Sequence, residues 1–277
     1  MAADLHCHTQ ASDGSSTAEE LVQMAKIRGL TAIAVTDHDT FAGVKNAVSC
    51  GKRYGVSVVP GAEFSAVDSE TGRKAHILCY RCTSPELLEP LCRRTQQARQ
   101  KAGEAMLEKA MAVYPFPAEL ALKFAQNSTS LFKQHIMRAL VEAGYSSGIY
   151  SPVFNELFSS TNGKAYEPIT YPEVNDVLEL IHRAGGIAVL AHPGEYDSYG
   201  LLGRLAASHS LEGVEVWHPR NHPGDDRRLS QFARENGLLM TGGTDFHGLY
   251  TKIPHPIGSF TAPDNQLSLL MAKKFVY

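Results

Sequence analysis

Apolar strands, polar loops and helices alternate along much of this 277-residue chain, and this order limits the folds that it can adopt. In the N-terminal part, apolar segments at residues 31–35 and 56–59 are separated by helical patterns. Thr17 and Glu20 form a capping box that begins the first helix, and Gly29 ends that helix. Successive strand-helix-strand units place parallel strands in one sheet, with helices covering both faces. The pattern therefore predicts an α/β fold built on parallel strands.

The alternation of strands and helices is interrupted in the middle of the chain. Residues 84–164 carry helical patterns without strand-like alternation, and strand-helix units resume near Tyr171. For most of the basic residues in this stretch, which include Arg93, Arg99 and Arg138, a solvated helix face is the preferred interpretation. We expect residues 1–83 and 165–277 to form a barrel, and residues 84–164 to form a helical insertion that caps its active site.

Potential metal ligands follow the predicted strands. Because side chains alternate along a strand, His6 and His8 of the first strand point the same way and Cys7 points the opposite way. His38 follows the second strand, and Glu63 follows the third. Parallel α/β folds carry their chemistry at the carboxyl ends of the strands, so we expect these side chains to meet there.

The complete set of such residues has the composition of a metal site with several ions. Any single histidine in it is also compatible with a hydrogen-bonded core position, but so many at strand ends indicate shared ligation. The absence of thiolates and the high histidine content favour two or three ions of Mn, Fe or Zn. A carboxylate bridging two ions ~3.5–4 Å apart allows a metal-bridging hydroxide, and metal-assisted phosphoester hydrolysis follows most directly. The candidate ligands are His6, His8, Asp13, His38, Glu63, His76, His192, Asp245 and His247.

Charge and cysteine content limit the partners. The net charge of −3 gives no basic surface of the kind that long duplex nucleic acid requires, whereas small anionic substrates remain compatible. The five cysteines show no disulfide spacing, and Cys79 and Cys82 are interpreted as structural. No signal peptide is recognised, and no apolar run reaches the ~18 residues of a membrane helix. A cytoplasmic protein without a membrane partner is therefore expected, and its oligomeric state is left open.

The ordered motifs resemble those of the polymerase-and-histidinol-phosphatase (PHP) superfamily of metal-dependent phosphoesterases. The resemblance covers the whole chain and implies a distorted (β/α)7 TIM-like barrel with a trinuclear centre. It implies one metal held by His6, His8, Glu63 and Asp245, a second by Glu63, His76 and His192, and a third by Asp13, His38 and His247. The matching stretches are Asp4-Leu5-His6-Cys7-His8, Ser12-Asp13-Gly14, Thr36-Asp37-His38-Asp39, Gly61-Ala62-Glu63, His76, Ala191-His192-Pro193 and Thr244-Asp245-Phe246-His247.

The insertion resembles that of small stand-alone members, which act on the 3′-phosphate of nucleoside 3′,5′-bisphosphates or on short RNA. Lys133 and His135 fall where those members carry an Arg-x-His that binds substrate phosphate, and lysine does not reproduce a bidentate arginine contact. Arg220 and His222 are further candidates for phosphate binding. The histidines considered for proton transfer to the leaving oxygen are His38, His222 and His247.

Three alternatives stay open at this point. A histidinol-phosphate phosphatase would use the same metal ligands with an acidic pocket in the insertion. A metal-dependent amidohydrolase would cleave a C–N bond in a similar barrel, although three metals suit phosphate better. A non-catalytic PHP module supporting a polymerase is the third, and the complete ligand set argues against it.

Overall fold

Seven strands form one nearly closed barrel in the computed structural model, which describes residues 2–273. The sheet order follows the chain, and the segment that follows the last strand pairs with the end of the first strand. The His8 amide donates to the Phe246 carbonyl at 2.9 Å, and the Phe246 amide donates to the His6 carbonyl at 3.2 Å. The predicted α/β barrel is confirmed. The strands are β1 (Ala3–Cys7), β2 (Ala32–Val35), β3 (Ser57–Asp68), β4 (Arg73–Tyr80), β5 (Ile187–Leu190), β6 (Gly213–Trp217) and β7 (Leu239–Gly242).

Strand β4 departs from the expected all-parallel arrangement, since it is antiparallel to both β3 and β5. Only residues 69–72 join β3 to β4, and a parallel pair needs a crossover of about a dozen residues or more. Strand β3 is also longer than expected, so Glu63 lies within it and not after it. Because β4 runs in the opposite direction, His76 near its start lies at the same end of the barrel as the carboxyl ends of the parallel strands.

Helices cover the outside of the barrel. The capping box of Thr17 and Glu20 is present at the start of the first helix, and Gly29 has a φ of +71° just beyond its end. The last helix in the described range was not expected from the sequence. The helices outside the insertion are α1 (Ala18–Ile27), α2 (Val44–Tyr54), α7 (Val174–Arg183), α8 (Tyr199–Ala207), α9 (Asp225–Glu235) and α10 (Asp264–Ala272).

The stretch at residues 84–164 is helical, as its sequence pattern predicts. A short 3₁₀ turn at Pro85–Leu87 leads into α3 (Glu89–Val113), α4 (Ala118–Ala125), α5 (Lys133–Glu142) and α6 (Pro152–Phe158). These helices pack around an apolar cluster that also includes Tyr250, with Met106, Ile136 and Leu140 at 1% exposure or less.

Buried apolar side chains hold the strands of the barrel together. One buried cluster draws on six of the seven strands, and Tyr80 of β4 is fully buried within it. The Tyr80 hydroxyl donates to the Leu5 carbonyl of β1 at 2.7 Å and so ties together two strands that are not neighbours in the sheet. Within residues 2–273, no helix has the length and apolar character needed to span a bilayer.

Candidate metal centre

Glu63 is the residue around which the other predicted ligands gather. Its carboxylate is buried in β3, where Oε2 lies 3.3 Å from His6 Nε2, 3.3 Å from His8 Nε2 and 3.1 Å from His38 Nδ1. The other oxygen, Oε1, lies 2.8 Å from His76 Nδ1. A carboxylate with histidine nitrogens beside both of its oxygens would be able to ligate more than one metal ion.

His192, which follows β5, reaches the same oxygen of Glu63. Its Nε2 lies 2.9 Å from Glu63 Oε1, so the rings of His76 and His192 both lie beside this one atom. His192 has a φ of 25°, in the left-handed region that non-glycine residues rarely adopt. Backbone strain of this kind persists where surrounding structure enforces it, and it concentrates at functional sites.

Two aspartates complete the cluster. Asp245 Oδ1 lies 3.1 Å from His8 Nε2 and 3.5 Å from His6 Nε2. Asp13 Oδ1 lies 3.3 Å from His247 Nε2 and 3.9 Å from His38 Nε2. All nine predicted ligands are therefore brought together at one end of the barrel.

The donor atoms fit divalent metal ions. Buried polar atoms without a hydrogen-bond partner in residues 2–273 cost free energy, and they concentrate here. They include His6 Nε2, both ring nitrogens of His8, Asp13 Oδ1, His38 Nδ1, His192 Nδ1 and Asp245 Oδ1.

Donor atoms lying within 4.8 Å of one another define several possible ligand groups. One is the expected set of His6, His8, Glu63 and Asp245. The other groups differ from the sets that the resemblance implies: His8 joins Asp13, His38 and His247; His38 joins Glu63 and His76; and His6 lies with Glu215 and His218.

The buried carboxylates of the cluster need positive charge close to them. Burial alone would raise the pKa of Glu63, but His76, His6 and His38 hold that pKa well below its usual value. Although burial opposes protonation of His8, the Asp245 and Glu63 carboxylates beside its ring raise the pKa of His8 to about 10. The buried carboxylates thus stay ionised, and bound cations would supply the charge that a proton on His8 supplies without them.

Glu215 and His218 belong to this cluster, although neither was predicted. Glu215 Oε1 lies 3.0 Å from His6 Nδ1, and Glu215 Oε2 accepts a hydrogen bond from the His192 amide at 2.9 Å. His218 is buried with its Nε2 3.6 Å from Asp245 Oδ2. The available signal was a charged residue in the middle of an apolar strand, residues 213–217, which is unusual unless it is paired.

Asp37 and Asp39, which flank His38, brace the loops that carry the ligands. Asp37 accepts hydrogen bonds from the Thr9 amide at 2.7 Å and the Ser12 hydroxyl at 2.7 Å, which fixes the loop leading to Asp13. Asp39 accepts from the Ser65 amide at 3.0 Å. Both aspartates therefore orient ligands through neighbouring segments.

A small cavity lined by cations adjoins the ligands on the side of His38 and His76. It measures about 170 Å³, and Lys74, Arg99 and Lys133 line it. Arg99 is buried and paired with Asp39, so the solvated-face interpretation is wrong for this residue. We call this space the cation cavity.

The charges of the cation cavity influence one another. Burial, with a smaller contribution from Lys74, lowers the pKa of Lys133 to about 8. Burial and Arg99 lower the pKa of Lys74. An anion bound between these lysines would stabilise their charged forms.

The other residues predicted to bind substrate differ in their burial and in their position relative to the ligand cluster. His135 is buried at the start of α5, where its Nδ1 accepts the Phe132 amide at 3.2 Å, and burial lowers its pKa to about 4. Arg220 lies at the cluster, with a guanidinium nitrogen 3.8 Å from Asp245 Oδ2. His222 is exposed near the Tyr199 ring and lines neither the cation cavity nor the small cavity over the ligands.

Comparison with known proteins agrees with this geometry. The PHP domain model matches residues 4–217. The chain is 39% identical over 92% of its length to a phosphoribosyl 1,2-cyclic phosphate 1,2-diphosphodiesterase of Eggerthella lenta, covering 97% of that protein.

Two further relatives are named for activity on RNA or on a nucleotide. The chain is 34% identical to the 5'-3' exoribonuclease Rnm of Escherichia coli, covering 88% of the chain and 84% of that protein. It is 31% identical to a 3',5'-nucleoside bisphosphate phosphatase of Chromobacterium violaceum, covering 88% of the chain and 86% of that protein.

A solved structure shows the same architecture. A putative metal-dependent phosphoesterase of Bifidobacterium adolescentis superposes with a TM-score of 0.88 at 31% identity, covering 97% of this chain and 95% of that one. The family model, the relatives and the fold agree with the ligand cluster, and the chain therefore belongs to the PHP domain family of metal-dependent phosphoesterases.

Proposed function

We propose that this phosphoesterase hydrolyses a phosphate ester of a small ribose compound that carries a second phosphate. The observation that carries the proposal is the cation cavity, where Lys74, Arg99 and Lys133 meet beside the metal-ligand histidines His38 and His76. One phosphate would bind at the ligand cluster, and the other would bind between the cations. An anion there offsets the cost of burying neighbouring positive charges.

The names of the relatives point to the same class of substrate. A phosphoribosyl cyclic phosphate and a nucleoside 3',5'-bisphosphate each carry two phosphate groups. Nucleoside 3′,5′-bisphosphate and short RNA were the substrates favoured by the sequence, and phosphoribosyl 1,2-cyclic phosphate joins them through the Eggerthella relative. Histidinol phosphate fits poorly, because the cationic cavity repels a substrate bearing an amine.

We propose that the nine predicted ligands hold two or three divalent ions, drawn from Mn, Fe and Zn. When bound, such ions polarise phosphoryl oxygens and make water acidic enough to supply a nucleophile. Glu215 orients His6 and His192 through the contacts described above. Arg220 would contact a phosphoryl oxygen from the Asp245 side, since its guanidinium stays charged.

Proton transfer to the leaving oxygen requires a side chain that faces the substrate. His38 and His247 line the small cavity of about 140 Å³ over the ligands, whereas exposed His222 does not. We therefore retain His38 and His247 as the candidates for this role. His135, which caps α5, would act on substrate only by positioning Lys133.

We further propose that residues 84–164 cap the site. The Gln134 side-chain amide donates to Asp13 Oδ2 at 3.1 Å, and the Phe132 and His38 ring centroids lie 6.2 Å apart. The insertion thus supplies walls of the substrate space. Five free cysteines suit a reducing compartment, which supports a cytoplasmic location.

Phosphate release by the Mn-loaded protein tests the proposal. We expect turnover of adenosine 3′,5′-bisphosphate or phosphoribosyl 1,2-cyclic phosphate, and much weaker turnover of AMP and histidinol phosphate. For a diester, ring opening is followed by chromatography. His8→Ala should abolish activity, which excludes a contaminating phosphatase.

A pair of lysine variants tests the cation cavity. Lys74→Ala should raise KM for the doubly phosphorylated substrate while changing kcat little. Lys123→Ala, an exposed lysine of α4, is the matched control. Efficient turnover of histidinol phosphate alone, or an unchanged KM in Lys74→Ala, would contradict the proposal.

A further inference from the structure

Tyr196 lies at the junction between the cation cavity and the small cavity over the ligands, and it lines both spaces. Three of the other residues that line both are predicted metal ligands, namely Asp13, His38 and His76. The remaining one is Gln134. The junction is therefore formed by metal ligands and by two further polar side chains.

These two side chains differ in how well they are paired. The Gln134 amide nitrogen donates to Asp13 Oδ2 at 3.1 Å and to the Tyr150 hydroxyl at 3.4 Å. In the described part of the chain, the Tyr196 hydroxyl has one hydrogen-bond contact, His76 Nε2, at the long distance of 3.5 Å. Of the two side chains, Tyr196 is therefore the one with a hydrogen atom to offer to a substrate.

Two predicted metal ligands hold the Tyr196 ring in place. The ring packs edge-on against His76 and His192, with centroid distances of 5.0 Å and 5.7 Å. The loop that carries it is closed by the Ser198 amide, which donates to the Pro193 carbonyl at 3.0 Å. These contacts fix the hydroxyl beside His76, at the edge of the ligand cluster.

Metal binding to His76 would leave the hydroxyl hydrogen of Tyr196 available. His76 Nδ1 is the ring nitrogen that faces Glu63, 2.8 Å from Oε1. A histidine that ligates a metal through one ring nitrogen carries its hydrogen on the other, so Nε2 would donate to the Tyr196 oxygen. A phenol keeps its proton at neutral pH, and this hydrogen can therefore be donated to an acceptor on the substrate.

The part of the substrate that lies at this junction is the ribose. Under the proposed function, one phosphate binds at the ligand cluster and the other in the cation cavity, so the sugar that joins them lies between. A nucleoside 3′,5′-bisphosphate has a single free ring hydroxyl, at C2′, next to the carbon that bears the 3′-phosphate. A 5-phosphoribosyl 1,2-cyclic phosphate also has a single one, at C3, next to an esterified carbon. Both candidate substrates therefore offer a hydroxyl oxygen close to the reacting phosphate.

We propose that the Tyr196 hydroxyl donates a hydrogen bond to this free ribose hydroxyl, and that the enzyme selects ribose over deoxyribose compounds through this contact. The inference rests on the proposed function, because the two cavities define where the sugar lies. A polar group that pairs with the correct substrate gives selection, since an analogue without the hydroxyl leaves that group unpaired. Tyr196 is thus a specificity-determining residue that contacts the substrate.

Equilibrium binding tests the inference without turnover. The probes are two phosphonate analogues of adenosine 3′,5′-bisphosphate, one with and one without the 2′-hydroxyl, in which a methylene group replaces the oxygen between C3′ and phosphorus. Calorimetric titration of the Mn-loaded protein measures their affinities. We expect the wild-type protein to bind the ribose analogue about 3- to 10-fold more tightly than the deoxyribose analogue, as one hydrogen bond between neutral groups provides.

Tyr196→Phe removes the hydroxyl and keeps the ring. We expect this variant to bind the ribose analogue no more tightly than the deoxyribose analogue, whose affinity should stay within about twofold of the wild-type value. A merely structural role of Tyr196 would weaken binding of both analogues alike. Tyr145→Phe is the matched control, since the Tyr145 hydroxyl donates to the Pro115 carbonyl at 2.8 Å and lines neither cavity. It should keep the wild-type preference.

The outcomes separate this inference from the proposed function. A preference for the ribose analogue that Tyr196→Phe abolishes supports the inference. Equal binding of both analogues to the wild-type protein, a preference that survives in Tyr196→Phe, or no binding of either analogue overturns it. Turnover of adenosine 3′,5′-bisphosphate or of the cyclic phosphate would then leave the proposed function standing. Turnover of neither compound, with a ribose preference that Tyr196→Phe abolishes, would overturn the proposed function alone.

Discussion

At the scale of single residues, the site depends on carboxylates that would be unfavourable without partners. Glu63 is buried among five histidines, and Glu215 behind it holds two of them in place. Buried carboxylates remain charged only when neighbours compensate them. Removing a partner therefore affects both ligand geometry and charge.

Glu215→Gln tests whether Glu215 holds the predicted metal ligands His6 and His192 in place. We expect metal affinity to fall about 10- to 100-fold, because residues that orient metal ligands typically contribute this much. Isothermal titration of the metal-free protein with Mn or Zn measures it. Glu212→Gln, at a glutamate that accepts the Ala188 amide outside the site, is the matched control. Equal affinities in the two variants would show that Glu215 has no orienting role.

Lys133→Arg tests the cation cavity through pH. Burial and Lys74 lower the pKa of Lys133 to about 8, so its positive charge is present below that pH and lost above it. Substrate phosphate is a dianion across this range, since its second pKa is about 6. The KM of the wild-type protein for a doubly phosphorylated substrate should therefore rise above about pH 8.

An arginine at this position stays charged, so the rise in KM should move to higher pH in Lys133→Arg. Lys123→Arg on the exposed surface provides the comparison and should follow the wild-type profile. Identical profiles in all three proteins would mean that Lys133 does not contact the substrate.

At the scale of elements, the site depends on how α3 packs against the start of α5. Gly103 of α3 approaches Leu131 so closely that an added Cβ would lie 2.3 Å from the Leu131 carbonyl oxygen. Leu131 precedes Phe132 and Lys133, which line the cation cavity. This contact therefore positions both Arg99 on α3 and the residues that begin α5.

Gly103→Ala should destabilise the protein by about 1–3 kcal/mol, because the close backbone contact leaves no room for a methyl group. Gly203→Ala in α8 is the matched control, since an added Cβ there meets nothing within 4 Å. That variant should be about 0.4–1 kcal/mol more stable than the wild type. Urea unfolding measures both, and equal stabilities would contradict the packing argument.

At the scale of the whole molecule, the ligand cluster joins strands from all parts of the barrel. Its residues come from segments as distant as His6 and His247, so bound metal would stabilise only the folded chain. Metal binding to the native state alone adds stability by mass action, about 2.7 kcal/mol at 100 times the dissociation constant. Folding and metal content should therefore be coupled.

Removal of metal with a chelator should lower the melting temperature, and added Mn or Zn should restore it in a concentration-dependent way. His8→Ala should respond much less, because His8 lies in two of the possible ligand groups. Differential scanning calorimetry provides the measurement. A melting temperature independent of metal in the wild type would contradict ligation by this cluster.

The closed barrel was implied by the resemblance to the PHP superfamily. The residue patterns alone predicted the α/β fold, the helical stretch at residues 84–164 and the set of nine candidate ligands, whose metal roles stay predictions. These follow from local information: strand and helix periodicity, caps such as Thr17 with Glu20, and the chemical type of residues near strand ends. Local patterns suffice because the carboxyl ends of parallel strands share one end of a barrel.

The tertiary structure accounts for the remaining features. It set the direction of β4, the place of Glu215 behind His6, the burial of Arg99 against Asp39, and the exposure of His222. Each depends on contacts between segments far apart in the chain or on the path of a loop, and periodicity carries no information about either. The same arginine on a helix is a solvated charge or a buried cation according to which segment packs against it.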